Sequence, residues 1–279
     1  MKVSQIWLYP VKSMVGVTVP ACELSMLGIV GDREWAIRDL DRGGIRGAKR
    51  IGDLMQFSAE PLADGTNGVR ISFPDGTVAS SHDSDIHAKL SNALGIRVQL
   101  ESLPSADNVE HFRRGPAYES DPMTELRSVF GRTEDEPLPN FAVFPPEVVE
   151  FESPPGTHYD CWPLMVMTTS ALRALETALP DSVIDIRRFR PSIVVDGAPE
   201  GHVEFTWKGK RARIGSAVIE FLDPCPRCVM PTRRINDDVP EDRAILRHIV
   251  RDLDQNLGVY ARILTPGSFS VHDEMEFLI

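Results

Sequence analysis

The sequence reads as an α+β protein rich in short strands, with barrel-like sheets and few helices. Three observations lead there. Runs of β-branched and aromatic residues alternate with Gly-, Pro- and Asp-containing turns along most of the 279 residues. Apolar residues at helical spacing occur in only three places. No internal repeat and no low-complexity tract interrupts the pattern, and 42% hydrophobic with 25% charged residues is ordinary globular composition.

The first strand is expected over residues 3–9, where V-x-x-I-W-L-Y favours a pleated surface and Pro10 stops it. A second is expected over 15–24, with Val15, Val17 and Val19 alternating, and a third over 34–40, closed by the turn Asp41-Arg42-Gly43-Gly44. Shorter strands follow at 55–60, 69–73 and 77–79. Ile86, Leu90 and Leu94 predict a helix over 84–94, capped by Asp83 or Ser84 and ended by Gly95, before a strand over 97–103. Residues 102–160 hold 9 of the 22 prolines and 12 acidic against 4 basic residues, with no sustained period. Such a stretch is either a connection with short elements of its own or a lid or partner-docking segment. It divides the chain into expected domains 1–120 and 121–279.

Order resumes at Pro163 with a strand over 164–167 and a helix over 170–179, whose face is Leu172, Leu175 and Leu179. Thr169 is a candidate cap for that helix. Further strands are expected at 193–195, 203–206, 213–222 and 259–264. The last helix is expected over 240–256, with Pro240 at its first position, acidic Glu241 and Asp242 at its positive end, and Ile245, Ile249 and Leu253 as its stripe.

Thirty basic against 41 acidic residues give a net charge of −11, which disfavours nucleic-acid binding as the main task. An anionic ligand would need a local basic patch. Four cysteines, Cys22, Cys161, Cys225 and Cys228, are too few for a disulfide scaffold of this length. No run of about 18 apolar residues is present, so no membrane span is expected. The N-terminus lacks a signal-peptide core, which makes a cytoplasmic setting the default. Nothing points to an obligate oligomer, so a monomer is expected.

The strongest local feature is Asp223-Pro224-Cys225-Pro226-Arg227-Cys228. Its two prolines stiffen a loop that can present a thiolate, and Arg227 would help to keep a neighbouring sulfur ionised. A closed four-cysteine zinc site is disfavoured because no second C-x-x-C exists, and a thioredoxin-like pair because no helix follows; inert cysteines remain open. Lys12 and Ser13, in Tyr9-Pro10-Val11-Lys12-Ser13, place a cation and a hydroxyl at a strand end, which suits a phosphate or is merely a turn. In Gly28-Ile29-Val30-Gly31-Asp32-Arg33, Asp32 can orient Arg33 for an anion, or form only a surface ion pair. Arg187-Arg188-Phe189-Arg190-Pro191 makes a basic spot or a solvated arginine loop, and Arg42 to Arg50 adds Arg46 and Lys49. Hydrolase, nicotinamide and Walker motifs are lacking.

Taken in order, Y-P-V-K-S, D-R-x-W, F-R-P, I-G and C-P-R-C before a final helix and strand resemble the MOSC-domain family, the molybdenum-cofactor sulfurase C-terminal domain group. The likeness is to its two-part members related to the mitochondrial amidoxime-reducing component, and covers nearly the whole chain. It implies an N-terminal MOSC-type β-barrel domain followed by a MOSC domain, with a molybdenum–pyranopterin cofactor between them. By the resemblance, Cys228 ligates the metal and is the catalytic position; Lys12, Ser13, Arg33 and Arg190 contact the cofactor's phosphate and pterin, and Arg227 belongs to the same R-C pair. Lys49 stands where relatives have the arginine of a T-A-R stretch, and Ser192 where animal relatives have asparagine. Cys161-Trp162 replaces a Thr-Ser pair, Pro226 replaces a serine, and Cys225 has no assigned role. The implied activity is two-electron reduction of N-hydroxylated compounds, of amidoxime or hydroxylamine type. Electrons would come from a separate ferredoxin, cytochrome b5-type carrier or flavoprotein reductase, since no ferredoxin-type cluster of four cysteines is present. The rival is a non-enzymatic carrier of molybdenum cofactor or sulfur.

Overall fold

The computed structural model describes residues 1–278. The first part runs β1 (Lys2–Leu8), β2 (Val17–Val19), β3 (Ala21–Ser25), β4 (Gly28–Ile29), β5 (Trp35–Asp39), β6 (Ile45–Arg46), β7 (Ser58–Pro61), β8 (Val69–Ser72), β9 (Val78–Ser80), α1 (Ile86–Leu94) and β10 (Val98–Ser102). Two short helices, α2 (Val109–Phe112) and α3 (Pro122–Phe130), lie in the proline-rich stretch. The rest runs β11 (Leu164–Thr168), α4 (Thr169–Ala178), β12 (Ile193–Asp196), β13 (Arg211–Ile214), β14 (Ala217–Pro226), α5 (Arg243–Asp252), β15 (Asn256–Thr265), β16 (Gly267–Ser270) and β17 (Met275–Leu278). No described helix is long and apolar enough to cross a membrane.

The main sheet has eight strands in the order β17-β13-β14-β15-β11-β12-β1-β2. Only β11 and β12, joined by α4, pair in parallel. The N-terminal strand β1 therefore lies inside the sheet built mostly by the C-terminal part, paired with β12 and β2. A bulge in β1 between Val3 and Gln5 lets odd-numbered Val3 and even-numbered Ile6 and Leu8 share one apolar face. Along β11 the alternation is strict: Leu164 and Val166 enter that core, while Met165 and Met167 face α4 and α5 on the other side.

A separate core fills the N-terminal part, around Met14, Ile37, Leu54, Phe57, Ile71 and Leu90. Met230, Ile235 and Val239, from the segment after β14, are buried in it, and Cys228 packs against it. Cys225 belongs instead to the core under α4 and α5. The C-x-x-C segment thus crosses from one core to the other, and each end is fixed by apolar burial.

Several expectations need correction. Pro20 splits the strand expected over 15–24 into β2 and β3. Residues Gly52–Gln56 form a 3-10 turn before β7, and the strand expected at 203–206 is a 3-10 turn over Val203–Trp207. The single strand expected over 213–222 is a hairpin, β13 and β14, turning at Gly215, whose φ of 55° lies in the left-handed region. Strand β14 runs on through Pro226, with register shifts at its prolines, so Cys225 is on a bulged strand rather than a loop. The cap of α4 is Thr168, which accepts from Ala171 N–H, and α5 starts at Arg243 with Asp242 as its cap. Five α-helices form among the described residues, not three.

Arg188 is fully buried and donates to four carbonyls: Val183 (3.1 Å), Pro231 (3.1 Å), Arg233 (2.9 Å) and Pro240 (2.6 Å). It is a clamp on the segment that follows Cys228, not a solvated arginine. Arg188→Ala leaves these carbonyls without their donor and is expected to lower unfolding free energy by about 3 kcal/mol. Arg188→Lys, with no planar fork, should recover less than half. Urea denaturation checks both.

Candidate functional site

One cavity of about 790 Å³ lies where the two cores meet. Lys12, Ser13, Arg33, Lys49, Arg190, Ser192, Arg227 and Cys228, the residues singled out in the sequence, all line it. They come from well-separated stretches of chain, and the fold explains how each arrives.

Tyr9, at the end of β1, is the hub. Its N–H donates to Asp32 Oδ1 (2.7 Å) and its hydroxyl to the carbonyl of Pro191 (2.9 Å). The other Asp32 oxygen takes the guanidinium of Arg33, and the Asp32 side chain is fully buried, so this is no surface pair. Arg33 lies between two aromatic rings, 5.0 Å from the centroid of Tyr9 and 4.9 Å from that of Tyr159. Arg190 stacks on Tyr9 at 4.2 Å. A buried guanidinium, Arg190, and a half-buried one, Arg33, share one tyrosine, and cation–π attraction partly replaces lost hydration. Burial and then the nearby Arg33 push the Arg190 pKa down to about 10. Burial works against the charge on Arg33, but Asp32, Tyr159, Tyr9 and Asp160 together outweigh it and raise the pKa.

Ser13, Arg33 and Arg190 have φ of 70°, 54° and 56°, three of only six described non-glycine residues with positive φ. This conformation costs an L-residue about 1–2 kcal/mol. It is concentrated where side chains must turn into the cavity.

Lys12 is buried, and its ammonium donates to Ser153 Oγ (3.1 Å), His158 O (2.7 Å) and Asp160. Its three protons are taken, so Lys12 acts as a strut for the segment 153–160. Asp160 also meets Lys49 at 3.1 Å. Burial would raise the Asp160 pKa, but the two lysines hold it far below the usual carboxylate range. Ser13 Oγ accepts from Ala48 N–H (2.9 Å), leaving its own proton to donate. Ser192 Oγ accepts from Met165 N–H at 3.3 Å.

Arg227 donates to Cys225 Sγ (3.3 Å) and to the carbonyl of Phe189 (2.7 Å). The sulfur it touches is therefore that of Cys225, not Cys228. Cys228 lies near enough to Lys49, Arg132 and Arg227 for a thiolate charge to act on all three. Arg132 was not legible as part of the site. It donates to the carbonyl of Arg227 (3.0 Å) and to Gln255 Oε1, while Gln255 O accepts from Arg227 N–H (2.9 Å). Both sides of the Arg227 backbone are thereby fixed.

Four polar atoms of lining residues are buried with no partner: Arg46 Nε, Arg190 Nη2, Arg227 Nε and Tyr159 Oη. Unpaired buried donors are costly, and this set suits an anionic or oxygen-rich guest. Arg187 stays outside, paired with Asp185 at 2.6 Å. The stretch 102–160 supplies one wall of the cavity, including Phe130, Phe141 and Phe144.

The MOSC N-terminal beta barrel domain profile matches residues 1–114 and the MOSC domain profile matches residues 155–276. The chain belongs to the MOSC-domain family. It is 25% identical over 244 residues to "Mitochondrial amidoxime reducing component 2" of Bos taurus, and 27% identical over the same length to its namesake in Homo sapiens. Each alignment covers 82% of this chain and 66% of the relative, so the chain spans just under two thirds of those proteins. Among solved structures, the YuaD protein from Bacillus subtilis is 11% identical, with a TM-score of 0.45, covering 99% of this chain and 94% of that one.

His158 gives the site a measurable pH signature. It is buried, with Nε2 at 2.8 Å from His111 Nε2 and Nδ1 at 3.0 Å from the carbonyl of Arg33. Burial, then the charge of Lys12, pushes its pKa down to about 3. The unfolded chain takes up this proton below pH about 6.5 while the folded chain does not, so stability falls as pH falls from there toward 3. Carboxylates held low, such as Asp160, contribute loss only below pH about 4. Unfolding free energy is thus expected to drop by about 2 kcal/mol between pH 6.5 and 4.5, and His158→Asn to remove most of that slope. Equal slopes in both proteins would refute the assignment.

Proposed function

We propose that this chain is a molybdenum-cofactor-dependent reductase of N-hydroxylated compounds, with Cys228 as ligand of the metal. The observation that supports it most is the convergence of Lys12, Arg33, Lys49, Arg190 and Arg227, with Arg46 and Arg50 beside them, and of Cys228 on a single cavity of a chain with net charge −11. The name borne by the bovine and human relatives fits the same reading. In the reaction the N–O bond of the substrate is cleaved: the N–OH group, two electrons and two protons give N–H and one water.

The bound cofactor supplies the two-electron chemistry that no side chain here can perform. The protein's own residues bind and orient. Cys228 offers a sulfur whose position is set by apolar packing and by the Arg132–Arg227–Gln255 links. Arg190 Nη2, Arg227 Nε and Tyr159 Oη supply donors to an anionic guest; Lys49, Arg33 and the Ser13 hydroxyl add to them. Lys12 contributes charge while holding segment 153–160, and Ser192 fixes the Arg190 turn against β11. Electrons come from a separate ferredoxin, cytochrome b5-type carrier or flavoprotein reductase. The protein works as a cytoplasmic monomer whose units, 1–120 and 121–279, meet at the cavity.

The test uses protein made in a host competent for molybdenum-cofactor synthesis, with an artificial electron donor and a simple amidoxime. Turnover is expected in proportion to bound molybdenum. Cys228→Ser should lower it at least about 100-fold, of the order seen when an essential catalytic group is removed, and change the metal's spectrum. Cys225→Ser, altering a thiol held by Arg227 in the other core, should keep a measurable part of both. Full molybdenum occupancy without turnover would favour the carrier.

A further inference from the structure

Part of the cavity lining is an apolar patch that none of the motifs uses. Phe130, Phe141 and Phe144 form a cluster, with ring centroids 5.8 Å (Phe130–Phe141), 6.2 Å (Phe130–Phe144) and 6.1 Å (Phe141–Phe144) apart. Val149 and Leu126 extend it along the lining. Phe141 is 44% exposed and Val149 84% exposed, although both line the cavity. Apolar surface held open to water at a cavity mouth is stabilised when a guest covers it. The wall is not a loose loop end. Trp162 Nε1 donates to the carbonyl of Val143 at 2.9 Å, between Phe141 and Phe144. Trp162 therefore helps to set where the rings stand.

We infer that this wall binds the apolar, ring-bearing body of the substrate, so that the protein prefers aryl N-hydroxylated compounds to small aliphatic ones. The identity of the reacting group rests on the reductase reading; the preference for an apolar body rests on the wall. The phenylalanines and Cys228 line the same cavity, so a body resting on the rings stays in the chamber that holds the sulfur. About 790 Å³ lies within the range of roughly 300–1,000 Å³ usual for small-molecule sites. Offset or edge-to-face contact with rings at these spacings rewards a flat guest beyond simple area burial. A protein partner would cover the exposed edge of the wall but would not fill the chamber behind it.

The experiment compares benzamidoxime with acetamidoxime, which share a reacting group and differ in body, in the holoenzyme with an artificial electron donor. The KM for the aryl compound is expected to be at least about tenfold lower. Phe141→Ala should shrink that ratio about fivefold, and Trp162→Phe, which keeps the ring but loses the tether, should shrink it in the same direction. Val183→Ala, an exposed apolar residue outside the cavity lining, should leave it unaltered. Equal KM values in the unmodified protein, or a ratio untouched by Phe141→Ala, would overturn the inference. Calorimetric binding of the two amidoximes separates it from the reductase reading. Tight aryl binding lost in Phe141→Ala, with neither compound turned over, sustains the wall and removes the reductase. Turnover of both without preference does the reverse. An effect of Phe141→Ala seen only with a protein electron donor would make the wall a docking surface and also overturn the inference.

Discussion

The structure is governed by an excess of positive charge in a confined place. Eight cations, among them Lys12, Arg33, Lys49, Arg190 and Arg227, line one cavity against four carboxylates, Glu119, Glu125, Glu152 and Asp160, with Asp32 behind. Gathering cations away from water is unfavourable unless each is paired, stacked or later neutralised. The chain does the first two and leaves donors free for the third. Asp32 and Asp160 pair with three of the cations, and Tyr9 and Tyr159 supply ring faces to two. Unpartnered atoms on Arg190 and Arg227 remain for an anionic guest.

The same constraint explains the backbone. A side chain at the end of a strand ordinarily continues the pleat; left-handed φ at Ser13, Arg33 and Arg190 turns these three out of it. That strain is sustained because each turn is fixed elsewhere, by Tyr9 to Asp32, by Tyr9 to Pro191, and by Ala48 on Ser13. Cys228 depends on a different support. Apolar burial of Met230, Ile235 and Val239 draws its segment into the N-terminal core, while Arg188 holds the carbonyls behind it.

Much of this was legible in the sequence because chemistry and local pattern coincided. Strands with clear alternation, such as β8 and β10, and the helix ended by Gly95 fall where periodicity puts them. The cavity residues were found because they sit beside prolines and glycines in short motifs. Elements set by long-range contact were not visible. The run at 203–206 is β-forming in composition, yet it turns so that Trp207 can be buried against Phe221 and Phe277. Strand β17 depends on pairing with β13, and Arg132 acts through Gln255, 123 residues away. The apolar wall lay in a stretch with no sustained period because its shape comes from the nine-residue α3, two 3-10 turns and one tryptophan hydrogen bond, none long enough to leave a repeat.

The most direct measurement is diffraction at the molybdenum absorption edge on crystals of the protein as isolated from a competent host. The account predicts one anomalous peak bonded to Cys228 Sγ, with phosphate density against Arg190 and Arg227. A peak on Cys225, a peak outside the cavity, or a fully folded protein that never takes up the metal would contradict it.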